Sequence, residues 1–338
     1  MPFEIPTHSP APCYRYRDGI YAADFLAVAI AELDLFTEVA RGTPTLPELC
    51  ERLDICPRPA DVLVTLLVAM DFLVRDDDRL RVTPIAQEHL RRESPWFLGP
   101  YYESHRHRAT AVALLKTLRT DEPGTWIAEK LDWAKAMEDP EFATSFTAEM
   151  DVRGRILGPA LERAFDWSGS SHLLDVGGGS GIYSCAVVDA QPHLRATVLE
   201  KSPVDRIAAQ AVERLGYGHR VQTVGADMFR DPWPGDCDVH LFSNVLHDWS
   251  EAHVRDLLGR SFQSLRTGGF VIIHDAHINA EKTGPLPVAE YSVLLMHFTE
   301  GKCYAVSELE PWLEDAGFVD TRFAPTAAER SLVVARKP

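Results

Sequence analysis

The 338-residue sequence has no apolar run approaching the roughly 18 residues that a bilayer crossing requires, and Met1-Pro2-Phe3-Glu4-Ile5 carries neither the charged nor the apolar region of a signal peptide. No membrane partner and a cytoplasmic location are therefore expected. Cysteine is sparse as well. Cys13, Cys50, Cys56, Cys185, Cys237 and Cys303 are scattered with no C-x-x-C pair, which argues against a disulfide framework and against a zinc ribbon. Positive charge is also short: 34 Lys and Arg against 50 Asp and Glu leave a net charge of −16, which repels polyanions and speaks against nucleic acid as a partner. Internal repeats and low-complexity segments are missing too. What the chain does have is 46% hydrophobic residues, ample for the cores of about two domains.

The pattern changes character between about residues 100 and 165, from helical spacing to alternating strands and helices, and predicts an N-terminal domain over 1–100, a helical linker region over 101–165 and a catalytic domain over 166–338. Residues 19–40 predict one long buried helix. Thr45 is placed to cap a short helix through Leu53, Pro59 to open another, and Phe72–Val74 with Leu80–Val82 to form a hairpin around three aspartates. Three helices followed by a hairpin is the layout of a winged helix. Its third helix and hairpin tip carry acids, so contact with phosphates would be repulsive. Packing against a second copy, giving a homodimer, is the better use of its apolar first helix, although a helix buried inside its own domain has the same pattern. The second half predicts an α/β fold, a doubly wound and mainly parallel seven-stranded sheet. Its strands fall near 172–176, 195–200, 220–224, 238–243, 270–275, 318–323 and 332–335, and its helices near 181–190, 203–215, 250–266 and 307–316.

Within that sheet, Leu173-Leu174-Asp175-Val176-Gly177-Gly178-Gly179-Ser180-Gly181 joins a buried strand to an acidic residue and a glycine cluster. Glycines let the backbone turn sharply and approach a ligand, and the following helix presents unpaired N–H groups. Glu200 ends the next apolar run, where a carboxylate can accept the two hydroxyls of a ribose. Ile182 stands where a dinucleotide fingerprint needs its last glycine, and no Gly-Lys-Ser/Thr closes a P-loop. Gly225-Ala226-Asp227-Met228-Phe229 adds a carboxylate and a flat apolar surface for an adenine ring. Together these suit S-adenosylmethionine better than NAD. After the fourth strand stands Ser243-Asn244-Val245-Leu246-His247-Asp248-Trp249, where His247 can act as a general base and Asp275, ending the next strand, can hold its second nitrogen.

On these motifs, together with Gly268-Gly269 and Glu314-Asp315-Ala316-Gly317-Phe318, the chain resembles the S-adenosylmethionine-dependent small-molecule O-methyltransferases of the plant and bacterial natural-product type. The resemblance implies a winged-helix dimerisation domain, a homodimer, a small-molecule substrate and S-adenosylhomocysteine as the by-product. It implies that Asp175, Gly177, Gly179 and Ser243 line the cofactor, that Glu200 takes the ribose, that Asp227 and Met228 meet the adenine, and that His247 deprotonates a hydroxyl with Asp275 orienting it.

One departure stands out. Gly301-Lys302-Cys303-Tyr304-Ala305 lacks the acid that such enzymes carry as a second partner of the histidine. His297 stands nearby on a helix that lines the acceptor pocket in the family. The 2-oxo acid C-methyltransferases of peptide-antibiotic pathways are similar here, with a metal held at positions matching His247 and His297. An iron or zinc ion there, with Asp275 or His274 in support, would polarise a 2-oxo acid toward its enolate, making His297 catalytic as well. C-methylation of an enolised 2-oxo acid at a metal held by His247 and His297 is thus the leading expectation, and O-methylation of a phenolic or other small-molecule hydroxyl with His247 as general base is the alternative. Arg106 is a candidate anchor for a substrate carboxylate, and Phe146, Met150 and Asp248 are candidate walls of the pocket.

Overall fold

The computed structural model describes residues 3–124 and 133–338, so the stretch 125–132 of the expected 101–165 linker lies outside the described residues. Two compact units emerge. The first draws on Pro12–Thr125 and Ile278–Ala305, the second on Met1–Ala11, Trp126–His277 and Val306–Pro338.

The first unit opens with helices α1 (Ala11–Asp18) and α2 (Ala22–Ala31), then α3 (Leu35–Gly42), α4 (Leu46–Leu53) and α5 (Pro57–Ala69). The single helix expected over 19–40 is broken in two. Asp34 takes a left-handed conformation at φ 49° and buried Leu33 turns inward, so the chain reverses before α3. Aspartate is among the few side chains that tolerate that conformation, which is why the break falls there. Thr45 and Glu48 form a reciprocal capping box on α4, and α5 starts at Pro57, two residues before Pro59. Strands β1 (Leu73–Asp76) and β2 (Arg79–Val82) pair antiparallel around the aspartate turn. The unit continues with α6 (Pro84–His89), α7 (Gly99–Tyr102) and α8 (Ala109–Thr120).

The second unit begins with α9 (Trp133–Ala136) and the long α10 (Pro140–Ala164), then alternates β3 (His172–Val176), α11 (Ile182–Ala190), β4 (Arg195–Glu200), α12 (Val204–Leu215), β5 (Val221–Gly225), β6 (Val239–Ser243), α13 (Glu251–Ser264) and β7 (Phe270–Asp275). After β7 the chain enters the first unit as α14 (Leu286–Phe298). It then closes the second unit with α15 (Val306–Ala316), β8 (Val319–Pro325) and β9 (Ser331–Arg336).

The catalytic domain expected as continuous over 166–338 is therefore interrupted. The physical reason is composition: α14 is apolar nearly all round, with nine of its thirteen residues buried, and such a helix needs partners on every side, among them α5.

The sheet runs β5-β4-β3-β6-β7-β9-β8, parallel except where β9 pairs with β7 and β8. Strand order reverses between the paired neighbours β3 and β6, so the connections leaving their carboxyl ends run in opposite directions and leave a crevice there, where such sheets bind ligands. Helix α10 lies close on α11: a Cβ on Gly154 would stand 2.1 Å from Ile182 Cγ2, and one on Gly158 2.6 Å from Ala186 Cβ. That approach fixes the helix following the glycine turn. Among the described residues no helix is long and apolar enough to cross a membrane.

Candidate active site

The turn leaving β3 needs its glycines for two separate reasons. Gly177, Gly179 and Gly181 have φ of 67°, 59° and 76°, where other residues are strained. Gly178 is needed for space, because its neighbour Asp175 turns back beneath the loop. Asp175 is fully buried. Its Oδ2 accepts from Ser184 Oγ at 2.7 Å, while Oδ1 has no hydrogen-bond partner among the described residues, and burial pushes the carboxyl up to about 6.

Glu200, at the tip of β4, accepts from the backbone N–H of Gly179 at 2.9 Å and of Lys201 at 3.0 Å. Burial pushes it up to about 7, against the two N–H groups that favour its charge. Asp227 caps its own turn by accepting from Phe229 N at 2.9 Å, and Met228 Sδ lies 3.9 Å from where a Cβ of Gly177 would stand. Ser243 is turned inward, its hydroxyl 3.0 Å from His274 Nδ1.

A contact that the sequence did not suggest ties α10 to the loop: Ser180 Oγ donates to Asp151. Phe146 and Met150, one helical turn apart on α10, share the face that includes Gly154. A glycine turn with open space at Gly179, a buried acid with an unpartnered oxygen, and a carboxylate at the next strand tip fit a cationic adenosyl ligand. Gly177, Gly179, Glu200, Asp227 and Met228 are the residues that could hold it.

Beyond β6, Asn244 takes a left-handed step at φ 55° and a single 3₁₀ turn, Leu246–Asp248, presents His247. The imidazole is buried. Its Nδ1 lies 2.6 Å from Asp275 Oδ1 and its Nε2 lies 3.6 Å from Asp248 Oδ1. Burial pulls the imidazole down, Asp275 and then Asp248 pull it up, and the acids prevail. Asp275 moves the opposite way: burial raises it, the facing imidazole lowers it, and the net shift is down. Asp248 is pushed up to about 6 by burial. A second acid, the residue directly after His247, thus stands near its ring. The Leu246-His247-Asp248 run already held this signal, because one tight turn keeps adjacent side chains near each other.

His297 and Arg106 both belong to the first unit. His297 Nδ1 is 3.2 Å from Thr117 Oγ1, and a Cβ on Gly124 would come within 3.0 Å of Nε2. Tyr21 and Phe298 pack against the ring, and burial brings it down to about 4. Arg106 already pairs with Glu32 at 2.8 Å and with Glu103 at 3.0 Å.

The donor set for iron or zinc does not fit: among the described residues no three His, Cys, Asp or Glu side chains gather as a metal group. His274, weighed as an additional ligand, has one nitrogen facing the Ser243 hydroxyl and the other 3.2 Å from Thr326 Oγ1.

The O-methyltransferase domain model matches residues 126–319. The chain is 32% identical over 307 residues, 90% of its length and 88% of the relative's, to a 3-hydroxy-5-methyl-1-naphthoate 3-O-methyltransferase of Streptomyces sahachiroi. It is 32% identical over 315 residues, 92% of each chain, to the tetracenomycin polyketide synthesis 8-O-methyl transferase of Streptomyces glaucescens. Among solved structures it is similar to an O-methyltransferase family 2 protein from Planctomyces limnophilus in complex with apigenin, with a TM-score of 0.87 and 31% identity over 100% of this chain and 98% of that one. The glycine turn and its carboxylates thus have a settled context: the chain belongs to the O-methyltransferase family and is an S-adenosylmethionine-dependent methyltransferase.

Proposed function

We propose that this enzyme methylates a hydroxyl of a small aromatic metabolite of the naphthoate or polyketide kind, with His247 as general base. The observation that carries this reading is the 2.6 Å contact between His247 Nδ1 and Asp275 Oδ1. It directs the Nδ1 proton to the carboxylate, which makes Nε2 the basic nitrogen. The imidazolium formed by accepting a hydroxyl proton is compensated by buried Asp275 and half-buried Asp248, where opposite charges interact more strongly than in water. Bound S-adenosylmethionine supplies an electrophilic methyl on a sulfonium. Glu200 would take its ribose hydroxyls, Asp227 and Met228 its adenine, and Gly177 and Gly179 its closest backbone approach. Asp175 underpins that turn. Phe146 and Met150 wall the acceptor, and Asp248 faces its hydroxyl.

C-methylation of a 2-oxo acid at a metal gives way to this reading, because relatives at 32% identity are named for transfer to oxygen and His297 sits among Thr117, Tyr21 and Gly124. The enzyme is offered hydroxynaphthoates, flavones and 2-oxo acids, S-adenosylhomocysteine release is followed, and the methylated atom is located by NMR. Methylation at oxygen, unaffected by a chelator, is expected. A product carrying the new methyl on carbon, with activity abolished by the chelator, would overturn the proposal.

We also infer a homodimer through the first unit. Tyr16, Ile20, Trp96, Tyr101 and Val112 are large, apolar and exposed on it, which supports a covered surface. Light scattering should return twice the 37.7 kDa chain mass, and a monomer at micromolar concentration would refute it.

A further inference from the structure

Strands β6 and β7 end side by side with Ser243 in register with His274, and Asn244 N donates to the His274 carbonyl at 2.9 Å. A line of side-chain hydrogen bonds crosses the sheet edge at this point. Thr326, in the turn between β8 and β9, lies 3.2 Å from His274 Nε2, and Ser243 Oγ lies 3.0 Å from His274 Nδ1. Asn244 Nδ2 donates to Ser243 Oγ at 3.3 Å and to the Tyr183 hydroxyl at 3.0 Å.

Ser243 Oγ, which accepts from Asn244 Nδ2, stands against one ring nitrogen of His274, and Thr326 Oγ1 stands against the other. Both nitrogens are satisfied by hydroxyls while His274 is wholly buried, its ring edge-on to Tyr183 at 5.7 Å. Burial pulls its proton affinity down to about 3, so it stays neutral throughout the working range.

We propose that His274 is a positioning residue for His247. As a neutral imidazole bonded on both sides, it anchors Ser243 and Asn244 and so fixes the left-handed step from which the His247 turn departs. Asn244 is what converts the anchor into aim. Its φ of 55° is a conformation that most residues resist, and the 3₁₀ turn bearing His247 begins two residues later. This inference rests on the reading of His247 as the base.

Three variants test it. In His274→Asn an amide atom falls near the place of Nδ1 and can still serve Ser243. In His274→Gln the amide reaches the place of Nε2 and serves only Thr326. His274→Leu serves neither. The leucine and glutamine variants should lose about tenfold in kcat with KM and the S-adenosylmethionine Kd within about twofold of the parent, and asparagine should recover most of the loss. The acid limb of the kcat profile should move to lower pH in the leucine variant, as His247 loses part of its contact with Asp275.

Unchanged kcat and an unmoved limb in His274→Leu, or equal recovery by asparagine and glutamine, would overturn the proposal. If His274→Leu does not fold, Asn244→Gly keeps the left-handed step without the anchor and should show the same kcat loss; parent-like kcat there overturns it equally. His247→Ala separates the two levels. If it is inactive while His274→Leu is unimpaired, only the positioning role fails. If it keeps full kcat, the base itself is misassigned and the positioning role falls with it.

Discussion

Gly178 stands so close to Asp175 that a methyl group added to it would lie 2.5 Å from the carboxyl carbon and 2.7 Å from Oδ2. Neither partner can yield cheaply, because Asp175 is fully buried and held by Ser184. In Gly178→Ala, relief of the clash must come from the loop, so S-adenosylmethionine affinity should fall by about tenfold or more while the thermal midpoint shifts only a few degrees. Calorimetric titration alongside a melting curve checks both halves.

Glu200 carries a second expectation. With its carboxyl raised to about 7, the free enzyme is partly protonated at neutral pH, and the proton occupies an oxygen needed to accept from ribose hydroxyls. Deprotonation favours binding, so affinity for S-adenosylmethionine should rise between pH 6 and pH 8. Glu200→Gln should bind more weakly and lose that slope. A Kd independent of pH in the parent enzyme would count against the assignment of Glu200 to the ribose.

The contact between His247 and Asp275 predicts a kinetic signature. Asp275→Asn turns the imidazole toward the wrong tautomer and removes the charge that balances its proton. The kcat should then fall by roughly 10²–10⁴, with the S-adenosylmethionine Kd little altered. Its acid limb should move to lower pH, since Asp275 is the first of the two acids raising His247.

Asp61, on α5, answers for stability. It accepts from Lys282 Nζ at 2.9 Å and from Lys302 Nζ, with Arg75 at 3.6 Å. Burial alone would raise this carboxyl, and the two ammonium groups override it, holding it at about 2, below its ordinary 3.8. A carboxyl lowered on folding stabilises fully above its unfolded value. That contribution is lost as pH drops toward about 2. Asp61→Asn removes the carboxylate that these cations share and should cost on the order of 3 kcal/mol in urea unfolding at pH 7, much less at pH 2.

Much of the second unit is legible before any coordinates. The strand–glycine–helix signal at Asp175–Gly181 is local, and the alternating apolar runs place every strand of the large sheet within two residues. Glu200 and Asp275 follow, because a residue at a strand's carboxyl end falls at the sheet's crevice.

What escapes is whatever depends on partners distant in sequence. Asp151 meets Ser180, and Thr326 meets His274, only through packing. Asp34 breaks a helix that the apolar spacing carries straight through. His297 has the spacing of a pocket residue, and only the fold reveals Thr117, Tyr21 and Gly124 around it.

The placement of α14 has a consequence for how the polypeptide is made. Residues 12–124 leave the ribosome long before the segment that finishes their core, so for on the order of ten seconds at ordinary translation speeds the nascent chain offers an apolar groove along α5 with nothing to fill it. The first unit cannot mature domain by domain as it emerges. A truncated messenger ending before residue 278 should yield an insoluble or chaperone-bound product, and splitting the gene at the apparent boundary near residue 125 should fail unless the downstream half is supplied.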